Sequence, residues 1–498
     1  MPLRLNLSPR GLLLLFAAIL LVAHASVFNF VNDDAFISFR YADNLVRHGE
    51  LTFNLGERVE GYTNFLWTIL LAVPMSLGGD PVLFSKLFGV GFALGTLVVT
   101  LRLLSVVRGE SRTQDAVAAV FLAASPSYAA WSTGGLETQQ FTFLLTLSLL
   151  AYVREARLLG VCLALASMAR PEGMLLCALL GLHRGLRLLW RRHRPGGFEG
   201  AVLLGFVLIF GPYFAARWAY YGWPLPNTYY VKAGPMSFYG PGLLYLKSFI
   251  LDHHLYLFPP LLFAARRHRL FLTLFAVVAL GLGFHVVRVG GDFMGQHRFL
   301  VPLLPLLAVV LVLGGDEIVK KLVETRLPRK ALVALGLALI SGLTARVVYI
   351  DRQAMEPTSE GGVDRIGWLK MFAAQCQAIG EHLAKTAPPD ASIATTAAGT
   401  IPYYSRLYTL DVLGLNDEYI AHEIPAHGSR PGHTKSAPES YVLSKDIDYL
   451  VYHPTITERP IRQSASAERA WAQKGYRWES VEVPGLVPPH WGVWRRAR

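Results

Sequence analysis

Charge is scarce in this chain. Asp, Glu, Lys and Arg make up 16% of its 498 residues, where a water-soluble protein of this size carries about 25%. That deficit, beside 53% hydrophobic residues, excludes an ordinary cytosolic enzyme and puts lipid around much of the chain. Cysteine is scarcer still: Cys162, Cys177 and Cys376 are all there is. None has metal-ligand spacing and the first two lie in apolar stretches, so neither a zinc site nor a disulfide framework is expected. Internal repeats and long low-complexity tracts are absent. Base is in excess, with 47 Lys and Arg against 35 Asp and Glu, +12 formally. Integral membrane proteins collect such a surplus in cytoplasmic loops, so no nucleic-acid partner is expected. The clusters over 184–194 and 320–330 read as topology signals that also meet anionic membrane lipid.

Apolar runs separated by short charged breaks fill the chain to about residue 350. The candidate spans are 11–30, 82–107, 115–133, 139–153, 158–169, 172–184, 198–219, 247–264, 270–288, 298–314 and 330–350. Two of them, 158–169 and 172–184, are short for a crossing and read as a helical hairpin with Arg170-Pro171-Glu172 at its apex. Six basic groups share one side only if there are eleven spans, with the amino terminus inside and the carboxyl terminus outside. They are Arg4/Arg10, Arg102/Arg108/Arg112, Arg154/Arg157, the cluster over 184–194, Arg266/Arg267/Arg269 and the cluster over 320–330. Segment 62–77 then lies in the outer interface or re-enters from it rather than crossing. The start could also read as a signal peptide cut at Ala23-His24-Ala25; a retained first helix is expected instead.

The expected fold is therefore an α-helical polytopic membrane protein with a C-terminal extracytoplasmic α/β domain. Residues 1–350 form the membrane domain, with a first outer loop over 31–81, and 351–498 form the soluble one. In the latter, a helical run over 366–385 accompanies strand-like runs at 392–396, 407–413, 449–453 and 481–483. Residues 427–440 read as a polar Pro/Gly-rich loop, mobile unless a ligand orders it.

The most informative stretch is 31–66, where Asp33, Asp34, Asp43, Glu50, Glu57 and Glu60 face Arg40, Arg47 and Arg58. Asn32 or Asp33 can cap a helix running to His48, and Gly49 fits the position after its end. Adjacent helical side chains diverge by about 100°, so Asp33 and Asp34 do not share one job: one caps while the other faces a cavity. A second set of charges recurs at outer span ends: Glu137, Arg170, Glu172, Lys232, Asp292, His297 and Arg298. Ionisable groups at membrane depth are costly and face a cavity or a partner. Structural ion pairs explain any one pair, Arg170 with Glu172 or Asp292 with Arg298, but not five loops together.

Acids beside bases at an outer membrane surface suit attack of a hydroxyl on a lipid-phosphate-linked sugar. A carboxylate takes the acceptor's proton. A cation, or a metal held by carboxylates, offsets charge growing on the departing phosphate. Phe36, Phe39, Tyr41, Tyr62, Phe65 and Trp67 would pack sugar and lipid, although aromatics at an interface are equally a membrane belt. His253-His254 has no third metal ligand at a suitable spacing. In the soluble domain, Asp411, Asn416, Asp417, His422 and His433 are polar groups of the sort an acceptor glycan needs, and a purely structural cap uses the same residues.

The stretches DDAFISFRYADNLVRHG, FNLGERVEGYTNFLW, GLET, ARPEG, PLPNTYYVKAG, GGDFM with HRFLVPLLP, and DVLGLNDEYIAHE followed by PGH resemble the GT-C superfamily of membrane glycosyltransferases. Within it they are most similar to the terminal arabinofuranosyltransferases of mycobacterial cell-wall synthesis and their bacterial relatives. The resemblance runs in order from about residue 10 to about 435. It implies a polyprenyl-phosphate sugar donor, an envelope glycan or glycolipid acceptor, and action at the outer face of the cytoplasmic membrane. The catalytic carboxylate is implied in the first outer loop, at Asp33 and Asp34. Arg40, Glu60, Tyr62, Asn64, Glu137, Arg170, Glu172, Lys232, Asp292, His297 and Arg298 are the residues implied for the donor. No motif decides which of Arg40, Arg170, Lys232 and Arg298 meets the phosphate. A divalent metal is used by some superfamily members and not others. A transporter or flippase of a lipid-linked sugar is the competing function; its charges would lie near the bilayer midplane and its halves would match.

Overall fold

The computed structural model describes residues 8–232, 237–324, 328–428, 430 and 432–497. Arg4 and Arg326 of the basic groups, Ala233 and Gly234 of PLPNTYYVKAG, Pro431 of PGH and Ser429 of the 427–440 loop lie outside them.

In chain order the helices up to residue 354 are α1 (Pro9–Phe28), α2 (Asp33–His48), α3 (Phe65–Ser76), α4 (Pro81–Arg108), α5 (Ala116–Ala124), α6 (Pro126–Ala130), α7 (Thr138–Val153) and α8 (Leu159–Ala169). Then come α9 (Glu172–Trp190), α10 (Gly197–Tyr221), α11 (Asn227–Lys232), α12 (Tyr239–Asp252), α13 (Phe258–Ala264), α14 (Arg269–Val289), α15 (Leu304–Glu324) and α16 (Arg329–Ala354). Among the described residues, seven helical segments are long and apolar enough to cross a membrane: Pro9–Phe28, Pro81–Arg108, Glu172–Trp190, Gly197–Tyr221, Leu255–Val289, Arg298–Glu324 and Val333–Ala354. α3, α7, α8 and the segment Thr113–Ala124 are apolar but shorter.

Two expected runs are interrupted. Run 115–133 divides at Ser125-Pro126, where Pro126 opens α6 because it has no N–H to give to the preceding turn. Run 247–264 divides at His254, whose φ is 53°. α9 is longer than expected, because Arg184 continues the helix while bonding Glu155 at 2.5 Å and Glu199 at 2.7 Å.

The chain forms two compact units. The first comprises Met1–Phe30, Ser85–Phe214 and Ser237–Gly367. Here α5 packs on α1 and α15, and α7, α8, α9 and α14 follow one another in contact. Small residues allow close crossings: a Cβ on Gly160 would come within 2.1 Å of the Val202 carbonyl. Leu203, Leu204 and Leu208 of α10 and Leu337 and Ile340 of α16 stand exposed, which water would penalise and acyl chains would not. α1 runs unbroken through Ala23-His24-Ala25. His24 there sets Nδ1 2.9 Å from the Ala123 carbonyl and Nε2 3.1 Å from Asp351 of α16. A two-residue hairpin, β1 (Ser359–Glu360) with β2 (Val363–Asp364), is bound to the 290–294 loop by Asp364 N–H donating to Phe293 O at 2.7 Å.

The second unit comprises Val31–Phe84, Ala215–Met236 and Trp368–Arg498. After α17 (Ile366–Thr386) the chain runs through β3 (Ser392–Thr395), α18 (Thr400–Ser405), β4 (Tyr408–Asp411), α19 (Glu418–Glu423), α20 (Glu439–Ser444), β5 (Tyr449–Thr457), α21 (Ala465–Gln473), β6 (Tyr476–Glu482) and β7 (His490–Arg496). The sheet order is β4-β3-β5-β7-β6, with the first two pairings parallel and the others antiparallel. Alternation along the strands feeds two cores. Ile393, Val451 and Val493 join Ile379 and Leu383 of α17 on one face. Ala394, Leu450 and Trp494 join Ile420 of α19 and Val442 of α20 on the other. The chain leaves β3 for one neighbour and returns to the other, so the loop after β3 sits at a topological switch point, where α/β sheets usually bind ligands.

Candidate functional site

α2 begins as the sequence predicts: Asn32 is its N-cap, accepting the Asp34 N–H at 3.4 Å, and Gly49 closes it with φ 73°. Both Asp33 and Asp34 lie in the first turn, where the helix dipole favours negative charge. Their surroundings differ sharply. Asp33 is 7% exposed, and its Oδ1 accepts the Thr400 N–H at 2.8 Å while Oδ2 accepts that of Gly399 at 3.3 Å. The switch-point loop, at the start of α18, is thus filled by a carboxylate from the unit's own chain. Burial pushes the Asp33 carboxyl up to about 6 even against those two donors, and Asp34 beside it adds to the rise. Asp34 is half-buried, and among the described residues no hydrogen bond or ion pair engages its carboxylate.

Arg40 is held elsewhere. Its Nε donates to Phe53 O and one terminal nitrogen to Pro402 O, both at 2.7 Å; the other donates to Leu407 O at 2.9 Å and Asn54 Oδ1 at 3.1 Å. Phe53 also lies under the guanidinium at 4.5 Å. Burial lowers its pKa to about 10. These bonds tie α2 to α18 and to the residue that leads into β4, which explains a buried arginine without a carboxylate partner.

Glu60 forms a buried ion pair with Arg217, whose Nε donates to both of its oxygens at 3.1 Å. Burial raises the Glu60 pKa against the pull of Arg217. The Glu60 carbonyl accepts from Asn227 N–H at 3.0 Å, and the Asn227 amide donates towards the carbonyls of Gly414, Leu415 and Asp417 at 2.9–3.1 Å. Tyr62 packs against Tyr41 at a tilt of 56° with ring centroids 4.6 Å apart, and its hydroxyl lies 3.2 Å from that of Tyr221. Tyr41 OH donates to Val59 O at 2.6 Å, accepts from Gly61 N–H at 2.8 Å and lies 3.1 Å from Asn416 Oδ1. Asn64, buried at the start of α3, accepts from Ser38 at 3.1 Å. Lys232 is exposed at the end of α11. Asp411 is fully buried, its carboxyl raised to about 6 by burial although Asn416 and Leu413 donate to it.

In the first unit, Arg170 spans two carboxylates. One terminal nitrogen reaches Glu137 at 2.8 Å, while Nε and the other terminal nitrogen reach Glu172 at 3.2 and 2.6 Å. Arg298 donates to Asp292 at 2.7 Å. The Phe299 ring lies 5.2 Å from the Arg170 guanidinium and 5.1 Å from that of Arg298, so one ring links the two pairs. His297, in the left-handed region at φ 48°, sets Nε2 3.0 Å from Ser248 Oγ. Its Nδ1 is buried without a hydrogen-bond partner among the described residues. Among those residues no group of three or more His, Cys, Asp or Glu side chains is arranged to hold a metal ion.

The predicted residues thus gather in two sets. Asp33, Asp34, Arg40, Glu60, Tyr62, Asn64 and Lys232 belong to the second unit, and Glu137, Arg170, Glu172, Asp292, His297 and Arg298 to the first. Sequence reasoning missed Arg217, Asn227, Gly399 and Thr400. Arg217 carries a signal, a charge near the end of an apolar run. The small residues after β3 carry none until their partner is known.

Residues 368–494 match a domain family described as a domain of unknown function, DUF8728. Two curated proteins named terminal beta-(1->2)-arabinofuranosyltransferase are similar in sequence. That of Mycobacterium tuberculosis is 28% identical over 334 residues, 56% of this chain and 52% of that protein. That of Corynebacterium glutamicum is 26% identical over 385 residues, 67% and 54%. The chain spans about half the length of the curated relatives it matches. Among solved structures, ArnT from Cupriavidus metallidurans bound to undecaprenyl phosphate aligns at TM-score 0.63 and 13% identity, covering 97% of both chains. Its apo form aligns at 0.58 and 12%, covering 97% of this chain and 98% of that one. The resemblance read from the motifs is borne out: the chain is a sequence relative of the terminal arabinofuranosyltransferases and shares the fold of ArnT.

Proposed function

We propose that this chain is a multispan glycosyltransferase at the outer face of the cytoplasmic membrane. It moves a sugar, arabinofuranose by analogy with its named relatives, from a polyprenyl-phosphate donor to an envelope glycan or glycolipid. The observation that carries this reading is the division of labour in the first turn of α2. Asp33 is anchored by the Gly399 and Thr400 amides, while the Asp34 carboxylate has no partner among the described residues. A general base needs that combination: a rigid mount and a carboxylate with its lone pairs unspent.

In the step proposed, Asp34 takes the proton of the acceptor hydroxyl as its oxygen bonds to the anomeric carbon. The bond from that carbon to the donor phosphate oxygen breaks, and the polyprenyl phosphate leaves with the electron pair. Arg40 has its donors on Phe53, Asn54, Pro402 and Leu407, so among the predicted cations of the second unit the exposed Lys232 is the one proposed for the phosphate. The lipid donor is supported by the undecaprenyl phosphate bound to ArnT.

The test is transfer of label from radiolabelled polyprenyl-phosphate sugars to a membrane-glycan extract. Asp34→Asn is expected to lower the rate by about 100-fold or more with the protein still folded, and Asp33→Asn by less. Undiminished transfer in both variants overturns the site. Exchange of lipid-linked sugar across proteoliposomes, with no donor consumed, would favour a flippase instead.

A further inference from the structure

Outside the residues used so far, the second unit carries an exposed aromatic platform. Trp223, 38% exposed, lies against the His422 imidazole with ring centroids 3.9 Å apart and planes at 22°. Tyr230 packs on the same imidazole at 4.2 Å. The indole Nε1–H donates to Glu418 at 3.0 Å. Glu418 and His422 are four residues apart on α19, hence on one face of it: one orients the edge of the indole while the other lies against its plane. Burial lowers the pKa of His422, which keeps the stack uncharged at neutral pH. Beside Trp223 and Glu418 is a recess of about 10 Å³ bounded also by Arg58, Glu60, Leu225 and Asn227, close to the size that holds one water or one hydroxyl group.

We propose that Trp223 and this recess form a binding subsite for a neutral glycan. Its role as an acceptor subsite rests on the transferase reading; the binding itself does not. Sugar rings present C–H faces that lie on an aromatic ring and hydroxyls that both donate and accept. The platform offers the ring, a carboxylate to accept at Glu418 and a guanidinium to donate at Arg58. An anionic ligand such as a lipid phosphate would instead meet Glu418 and the exposed Glu423 of the same helix. Trp223 is also oriented by a hydrogen bond and a stack, as a ligand platform requires and a lipid-facing anchor does not.

The platform is joined to the α2 helix. Asn416, two residues before Glu418, lies 3.1 Å from Tyr41 OH, and Tyr41 is seven residues from Asp34 on that helix, about 10 Å along its axis. A glycan resting on Trp223 while its reacting hydroxyl meets Asp34 is therefore an oligomer, not a monosaccharide.

The test uses the full chain in lipid nanodiscs with neutral hexasaccharides, one arabinofuranosyl and one glucosyl, read by saturation-transfer NMR and tryptophan fluorescence. At least one is expected to bind, about tenfold more weakly to Trp223→Ala and with undiminished affinity to Trp190→Ala, which removes an exposed tryptophan of the first unit. Should Trp223→Ala fail to fold, Glu418→Gln, which keeps the indole and removes the charge beside the recess, carries the same test with the same direction. Absence of binding, or equal binding by the variants, overturns the proposal. So does quenching by brominated lipid of the fluorescence component that Trp223→Ala removes, which would make Trp223 part of a membrane belt. Saccharide binding without any sugar transfer would leave the subsite standing and count against the transferase reading alone.

Discussion

Asp33 Oδ1 accepts the amide hydrogen of Thr400 at 2.8 Å across 367 residues of sequence. This bond and its companion from Gly399 join the first turn of α2 to the loop after β3, so the five-stranded sheet sets the bearing of the aspartate pair. The approach is close enough to require a glycine: a Cβ at position 399 would come within 1.8 Å of the Asp33 carbonyl oxygen. Gly399→Ala is expected to cost about 1–3 kcal/mol through forced backbone displacement and to reduce transfer as much as Asp33→Asn does. Gly49→Ala is the control. Its φ is 73° with nothing within 4 Å, so it costs about 1–2 kcal/mol of left-handed strain and leaves Asp33 in place. Melting temperatures and transfer rates together check this; equal loss of transfer in both variants would mean the contact at 399 does not matter.

Burial of Asp33 has a pH signature. The folded state holds this proton more tightly than the unfolded chain does, with the pKa raised from 3.8 to about 6. The folded protein therefore loses stability as pH rises from about 4 to about 6, and the full cost, roughly 3 kcal/mol, is present above that window. Asp33→Asn removes this ionisation but also one acceptor for an amide. Relative to the wild type it should melt lowest at pH 4.5 and gain by pH 7.5. Unfolding in one detergent at the two pH values checks the sign, and a difference that does not vary with pH would place the carboxyl in water.

How far the sequence carried can be judged residue by residue. The cap at Asn32 and the stop at Gly49 were legible because both depend on local backbone chemistry. The helix over 366–385 and four strand-like runs were legible from periodicity, and the runs at 392–396, 407–413, 449–453 and 481–483 fall on β3, β4, β5 and β6. β7 (His490–Arg496), with its charged end, was not read, since its strand character comes from pairing with β5 and β6. Asp33, Arg40, Glu60, Tyr62 and Asn64 of the 31–66 stretch are buried, and so are Asp411 at the end of β4 and Asn416 after it. The job of Arg40, in contrast, was illegible: a guanidinium that binds four acceptors on three separate segments looks, in sequence, like any arginine beside an acid-rich loop.

The Glu60–Arg217 pair yields a double-mutant prediction. Both side chains are buried, so Glu60→Gln or Arg217→Met alone leaves a charge without its partner and should cost about 3–5 kcal/mol. Together the substitutions remove both charges, and the double variant should be more stable than the sum of the singles implies by up to about 3 kcal/mol. Additive losses would show that the two charges are solvated separately.

Arg170 tests geometry against charge. Its guanidinium serves Glu172 with two nitrogens and Glu137 with a third, a three-point arrangement that a planar fork can make and a lysine ammonium cannot reproduce at both carboxylates. Arg170→Met leaves two buried acids uncompensated and is expected to abolish folded protein in detergent. Arg170→Lys keeps the positive charge, so folded protein is recovered, but with a melting temperature well below that of the wild type because one carboxylate loses its hydrogen bonds. Adding Glu137→Gln to Arg170→Lys should restore part of the loss, since a single ammonium then faces a single carboxylate. Fluorescence-detected size exclusion and thermal unfolding distinguish these outcomes. A lysine variant as stable as the wild type would mean that charge alone, not the fork, holds α7 and α9 together at this point.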